Sequence, residues 1–341
     1  VLPQLGAIVK RKAPKALSLC DPFAGTCSVS RYFKAQGLKV TTGDVMAFSH
    51  EFQLALVGLN SAPRFSRLVA ARELIDDKQP RYLRALQRLN ELAGKTGYIT
   101  THFSKGKTST RQFFSRANAQ KIDAVRTQIE TWQIAGLLTR NELAYLRTAM
   151  IDAADKVANT AGTYYAYLKT LDRKALKPFV LIPPSISRNG FVNECFLEDA
   201  RSVAAASNTD ILYLDPPYNE RDYSSYYHLP ETLARGTAPT PRGLSGVPWE
   251  RTQPKSDFCR PSTAYDAFRS LIHGAKSRYI LVHYATDGLI THDEIMDTLT
   301  VVGKTTTEDL VVRAYATTST AANSKASHRI YWCDRGATAR C

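Results

Sequence analysis

Residues 16–44 read ALSLCDPFAGTCSVSRYFKAQGLKVTTGD, and their order decides the fold. An apolar run at 16–20 ends at Asp21-Pro22, as a strand feeding a turn does. Residues 28–36 have helical spacing with Gly37 as the stop, and a second strand at 38–42 ends at Gly43-Asp44. Strand, helix, strand in this order is a βαβ unit, the opening of a doubly wound parallel sheet. The turn Asp21-Pro22-Phe23-Ala24-Gly25-Thr26 is built of small residues, which let a ligand approach backbone N–H groups at a helix N-terminus. It has neither a GxGxxG pattern nor a Walker lysine, which argues against dinucleotides and nucleoside triphosphates. The Asp21 carboxylate suits a cationic ammonium better than a phosphate, and Asp44, at the end of the second strand, suits ribose hydroxyls.

Outward from this unit the chain changes character. Helical spacing dominates the middle, at 52–59, 65–75, 81–92, 118–133, 140–156 and 162–171. Between them, 96–111 is rich in Gly, Ser, Thr and Lys and reads as a mobile loop. Strands return after Pro183-Pro184, at 191–196, 210–214 and 278–283, followed by a helix at 291–299. The tail offers 310–316 and 328–333 as an antiparallel pair. The reading is an α/β domain of 1–48 and 190–341 interrupted by a helical insert, 49–189.

Charge follows the same division. The 341 residues carry a formal +14, of which 1–48 hold +5, 49–189 hold +11 and 190–341 hold −2. The densest stretch, 81–118, has Arg81, Arg84, Arg88, Lys95, Lys105, Lys107, Arg111 and Arg116 against Glu91 alone. Tyr82, Tyr98, Phe103, Phe113 and Phe114 are interleaved with them. Such a surface is either a solvated helix face or one that contacts phosphates. Lys105, Lys107, Arg111 and Arg116 are the candidates for nucleic-acid contact, since they lie in or beside the Gly/Ser/Thr loop. At 44% hydrophobic and 22% charged residues the composition is globular. No run approaches the ~18 apolar residues of a membrane span and no signal peptide is visible, so a cytoplasmic protein without a membrane partner is expected. Cys20, Cys27, Cys195, Cys259, Cys333 and Cys341 have no CxxC or metal-ligand spacing, which reads as reduced thiols and no metal site. The chain opens on Val1 rather than Met, so part of a native N-terminus is expected upstream.

Asp215-Pro216-Pro217-Tyr218 follows an apolar strand and opens a loop at its carboxyl end, where α/β sites lie. Methylation of an exocyclic amino group needs such a device. The lone pair of an adenine amino nitrogen is delocalised into the ring, so the nitrogen is a poor nucleophile. A carboxylate and a backbone carbonyl that accept its two N–H bonds turn it toward sp³ character. Asp215 and the Pro216 carbonyl have the required chemistry, the prolines fix the loop, and Tyr218 offers a face on which a flipped base stacks. Asp199, 16 residues earlier, is a further acid at a strand end and suits an adenine amino group. Tyr223, Tyr226, Tyr227 and His228 either pack the next helix or line a base pocket. Neither His228 nor His283 is required as a general base, because an amino group becomes strongly acidic once methylated. Glu198 and Glu231 read as structural.

This set resembles the S-adenosylmethionine-dependent amino-methyltransferases of DNA, in their Dam-like adenine-N6 class, and is most like the FokI-type modification methylases. The resemblance is carried by DPFAGT at 21–26, Asp44, EDA at 198–200, LDPPYNERDYSSYYHLPETLAR at 214–235, YILVHYATDGLI at 279–290 and DKVANTAGTYYAYLK at 155–169. It implies a Rossmann-like seven-stranded sheet with a reversed C-terminal strand, and a target-recognition insert at 49–189. It implies Asp21, Phe23, Gly25, Asp44 and Asp199 around S-adenosylmethionine, which leaves as S-adenosylhomocysteine, and Asp215, Pro216, Pro217 and Tyr218 around the base. Double-stranded DNA is the implied substrate, in a restriction-modification or phage system with a separately encoded endonuclease. Two departures stand out. Cys27 occupies a position where a second glycine is usual, and the Gly- and Lys-containing motif expected before the first strand is not clear in 1–12. The alternatives are cytosine-N4 methylation, a class that favours Ser before Pro-Pro-Tyr, and a non-catalytic DNA-binding module on a methylase fold. An RNA or protein amide substrate suits the basic insert less well.

Overall fold

The computed structural model describes residues 1–249, 255–313 and 325–336. It divides into two compact units. The first comprises Val1–Asn60, Ser187–Tyr223 and Gln253–Cys341, and the second Ser61–Ile186 and Ser224–Thr252.

The first unit is built on a seven-stranded sheet: β1 Ser18–Asp21, β2 Lys39–Gly43, β3 Glu194–Phe196, β4 Ile211–Leu214, β5 Tyr279–Ala285, β6 Lys304–Arg313 and β7 Lys325–Asp334. Their order across the sheet is β3-β2-β1-β4-β5-β7-β6. The first five pair in parallel, as in Ser18↔Lys39 and Leu212↔Ile280. The C-terminal strand β7 runs against both neighbours, with His283↔Ile330 on one side and Glu308↔Ile330 on the other. This is the Rossmann-like seven-stranded sheet that the resemblance implies, its reversed strand inserted one place in from the edge. Of the expected pair 310–316 and 328–333, residues 314–316 lie outside the described residues, as does Cys341.

Alternation along the strands sends Leu212, Leu214, Ile280 and Val282 to one face, against Val203, Phe268, Leu271, Ile295 and Leu299 of the helices Ala200–Ala206, Ala264–Gly274 and His292–Val302. The helix His292–Val302 starts on a reciprocal capping box between Thr291 and Glu294. Helix Ser28–Ala35 packs on β1 and β2, and Leu2–Lys12 on that helix. Close packing leaves no room for a side chain at Gly43, where a Cβ would meet Val203 Cγ2 at 2.6 Å.

The expected boundary at 48 falls inside one structural element. Helix Ala47–Phe52 runs directly into a π-helical turn, Gln53–Gly58, which packs on β2 and β3. The buried Lys34 ammonium donates to the carbonyls of Leu56 and Leu59 at the end of that turn. The first unit therefore continues to Asn60.

The second unit is mainly helical: Ser66–Ala70, Arg81–Asn90, Tyr98–Phe103, Arg116–Ile134, Arg140–Lys156 and His228–Arg235. Helix Arg140–Lys156 has its expected bounds, set by the Thr139/Glu142 capping box. Segment 224–252, expected with the sheet, belongs to this unit because His228–Arg235 packs on Arg140–Lys156. Two local expectations are overturned. Residues 162–171 form turns, not a helix: Gly162 has φ +112°, and the Asn159 side chain donates to the carbonyls of Gln112 and Leu168 while accepting from Asp172 N–H. The stretch 96–111 contains a helix, because the buried Asp123 carboxylate accepts from the N–H groups of Ile99 and Thr100 at 2.9 and 2.7 Å and caps its first turn. Among the described residues no helix is long and apolar enough to cross a membrane.

Candidate active site

Three carboxylates converge at the carboxyl ends of β1, β2 and β4. Asp21 ends β1 and is buried. Ser30, in the first turns of the next helix, donates to its Oδ2 at 2.5 Å, while Oδ1 is buried with no hydrogen-bond partner among the described residues. Burial pushes the Asp21 pKa up to about 7, opposed by the Ser30 bond and by the Phe23 backbone N–H and assisted by the charges of Asp215 and Asp44. Both of those acids thus act on the same carboxyl group. Asp44 accepts from Gly25 N–H at 3.0 Å through Oδ2 and from Met46 N–H at 2.8 Å through Oδ1, which ties the end of β2 to the turn after β1.

That turn explains the departure at Cys27. Gly25 and Cys27 both have positive φ, +51° and +61°, and Cys27 sits in the left-handed region where glycine is favoured. Its side chain is fully buried. Phe23 packs edge-on against Phe258 at 5.0 Å, which fixes the turn over the sheet. Asp199 is placed differently from the expectation. Its carboxylate caps helix Ala200–Ala206 and is engaged by Arg201, whose Nε lies 2.8 Å from Oδ1 and which also pairs with Asp257 at 3.1 Å. Its oxygens already have donors.

Asp215-Pro216-Pro217-Tyr218 leaves the end of β4. The Tyr213 hydroxyl donates to Asp215 Oδ2 at 3.4 Å and lies 3.3 Å from His283 Nδ1. His283 Nε2 lies 3.0 Å from His328 Nδ1. Burial, followed by the Asp215 charge, holds the Tyr213 phenol well above its ordinary range, so it stays a donor. The Tyr218 ring is held edge-on by Tyr284 and His328, and its carbonyl accepts from Leu289 N–H at 3.0 Å. Sequence reasoning missed Ser30, Tyr213 and His328. Tyr213 and His283 carry a signal in retrospect, as polar residues on the central strands β4 and β5.

In the second unit His228 is buried between the Phe103 and Phe113 rings with Nε2 3.0 Å from the Tyr164 carbonyl, and burial lowers its pKa to about 4. Tyr226 stacks on Tyr165 at 4.7 Å. Glu231 pairs with Arg235, so His228 and Glu231 serve packing. Lys105 and Lys107 are exposed in a turn closed by Gly106 N–H to the Ser109 carbonyl. Arg116 is exposed at the start of its helix, and Nη1 would lie 3.3 Å from a Cβ at Gly106. Arg111 instead donates to the carbonyls of Gly243, Leu244 and His102. Arg81 and Arg84 are paired with Asp76 and Asp77.

A seven-stranded sheet with one reversed strand and acids at the ends of β1, β2 and β4 defines a methyltransferase of the Rossmann-like type. Residues 1–296 match the D12 class N6 adenine-specific DNA methyltransferase family, to which the chain belongs. It is an enzyme of the adenine-N6-specific kind, as the family is described, rather than a cytosine-N4 methyltransferase. The chain is 35% identical over 296 residues to the type II methyltransferase M.NlaIII of Neisseria lactamica, covering 87% of this chain and 82% of that one. It is 36% identical to the type II methyltransferase M.FokI of Planomicrobium okeanokoites, covering 81% of this chain, and 34% identical to the modification methylase StsI of Streptococcus sanguinis, covering 88%. It spans 41% of M.FokI and 44% of StsI.

Proposed function

We propose that the methyl donor is S-adenosylmethionine, held by the turn after β1 and the ends of β2 and β3. The donor's ammonium fits Asp21. A buried carboxylate oxygen without a partner is a costly arrangement, and a cationic N–H donor would relieve it. That oxygen is the observation that carries the reading. Asp44 would meet the ribose hydroxyls, Phe23 and Gly25 would line the turn, and Asp199 would border the pocket with Arg201. When bound, the sulfonium supplies an electrophilic methyl group.

Asp215 and the Pro216 carbonyl then accept the two N–H bonds of the flipped adenine, with Pro217 fixing the loop and Tyr218 stacking on the base. Once methylated, the amino nitrogen would be cationic and strongly acidic, and Asp215, with solvent beyond it, would take up the proton it loses. The helical unit, which takes in most of the stretch expected at 49–189 together with the segment around Leu244, would recognise duplex DNA, with Lys105, Lys107 and Arg116 near phosphates and Arg111 positioning that segment. The names of the relatives, type II methyltransferases and a modification methylase, support a role in restriction-modification; a cytoplasmic location and an endonuclease on a separate chain complete the proposal. Methylating random-sequence duplex DNA with labelled S-adenosylmethionine, then sequencing the modified sites, tests this. A single adenine context is expected, and label at scattered adenines would overturn site-specific modification.

A further inference from the structure

Behind Asp215 lies a line of side chains that no step above uses. The Tyr213 hydroxyl has one proton, and it points to Asp215 Oδ2. The His283 Nδ1 at 3.3 Å must then be the N–H that donates to the phenol oxygen. In the neutral ring Nε2 is left as the acceptor, so the contact of 3.0 Å is a donation from His328 Nδ1–H. The line runs one way, from His328 on β7 through His283 on β5 and Tyr213 on β4 to the carboxylate. Tyr213 and His283 are buried, and all three side chains sit on one sheet face, on strands rather than loops. The last ring also touches Tyr218 edge-on at 5.8 Å, so the line reaches both ends of Asp-Pro-Pro-Tyr.

We propose that Tyr213, His283 and His328 are positioning residues for Asp215, holding its Oδ2 so that Oδ1 is left to accept the adenine amino N–H. The proposal rests on the reading of Asp215 given above. A carboxylate's terminal torsion is soft, and an acceptor free to turn spends part of its time misaligned. A hydrogen-bonded line anchored on three adjacent strands removes that freedom before substrate arrives. The line also has a pH response. His328 faces the His283 imidazole, the Asp215 and Asp287 carboxylates and the Tyr218 ring, and its cross-strand partner on β6 is Leu310. Burial, then the His283 charge, holds His328 below the ordinary imidazole range, so it is neutral at pH 7. Proton uptake there strengthens donation toward Oδ2 and makes the carboxylate a weaker acceptor for the amino group.

The test is the single-turnover rate of methyl transfer to a duplex oligonucleotide at saturating S-adenosylmethionine, from roughly pH 5 to 8. Tyr213→Phe removes only a hydroxyl and should slow transfer about tenfold with cofactor affinity within about twofold of the parent. His328→Asn keeps a donor for His283 Nε2 but cannot titrate. Its rate at the alkaline end should stay within about threefold, while the acid limb moves to lower pH. A packing role alone leaves that limb in place. An unmoved acid limb in His328→Asn, or a Tyr213→Phe rate within about twofold of the parent, overturns the proposal. Asp215→Asn separates the two readings. Normal methylation by that variant removes the role of Asp215 itself, whereas its inactivity beside a normal Tyr213→Phe removes only the line.

Discussion

Ser30 donates to Asp21 Oδ2 at 2.5 Å, and the other oxygen of the same buried carboxyl has no hydrogen-bond partner among the described residues. One half of Asp21 is thus committed to the fold and the other half is available. Burial holds its pKa near 7, so in the ligand-free protein the group is substantially protonated at neutral pH.

An ammonium beside Asp21 favours the carboxylate, so binding expels a proton wherever the free site is protonated. Affinity for S-adenosylmethionine should weaken up to tenfold per pH unit below pH ~7, and again on the alkaline side as the ligand's own ammonium loses its proton. Calorimetry in buffers of different ionisation enthalpy should show proton release on the acid side. Asp21→Asn should abolish both the release and the slope and weaken binding by ~1–3 kcal/mol. The stability of the ligand-free protein has the opposite dependence. The raised pKa means the folded state holds the proton more tightly, so this contribution is fully present below the unfolded value of 3.8 and is lost as pH rises through about 7.

The turn that carries Asp21 contains a second testable strain. Cys27 has φ +61° with a buried thiol. Cys27→Gly and Cys27→Ala both lose the thiol, but only alanine keeps the left-handed cost. The glycine variant should therefore be the more stable of the two by about 1 kcal/mol in urea unfolding. Equal midpoints would mean that the turn relaxes.

The parts of this site that were legible in the sequence are those in which one short segment holds both the chemistry and the geometry. The strand before Asp21, the strand before Asp215 and the turn between β1 and its helix are local, and their acids fall where strand ends place them. The helix at Tyr98–Phe103 was not legible, because its first N–H groups are capped by Asp123 from another helix, over twenty residues away. The turns at 162–171 have helical spacing of apolar residues, but Asn159 satisfies the backbone in a way no periodicity encodes. The same applies to Asp199: a strand-end acid in sequence becomes a helix cap paired with Arg201 in three dimensions. His328 pairs diagonally across the reversed strand, a relationship that needs the register of β5 against β7.

Asp215→Ala should separate chemistry from cofactor binding. If the carboxylate accepts the amino N–H most strongly in the transition state, the variant loses roughly 3 kcal/mol of activation, about a hundredfold or more in turnover. The S-adenosylmethionine dissociation constant should change little. Near-normal methylation would exclude this role, and loss of cofactor binding would mean that the acid serves the pocket instead.

The basic residues of the second unit divide by what they already contact, and substitutions should expose the division. Lys105 and Lys107 are exposed, and replacing both with Gln should leave thermal unfolding unchanged. If each neutralises a DNA phosphate, the log–log slope of affinity against salt should flatten by up to ~2, at about 0.9 per contact. Arg111 behaves otherwise, because its guanidinium holds three carbonyls, two of them in the segment at Gly243 and Leu244. Arg111→Ala leaves those carbonyls without their donor and should lower stability by about 1–3 kcal/mol. DNA affinity should fall with it, but the salt slope should change by less than in the lysine pair, since a guanidinium tied to carbonyls is poorly placed to release a counterion from a phosphate. Affinity and slope are read in one filter-binding series across salt, with unfolding measured in parallel. A double lysine variant with unchanged slope would make the Lys105–Lys107 turn a solvated surface and direct the search for phosphate contacts to Arg116 and the remaining helices of the unit.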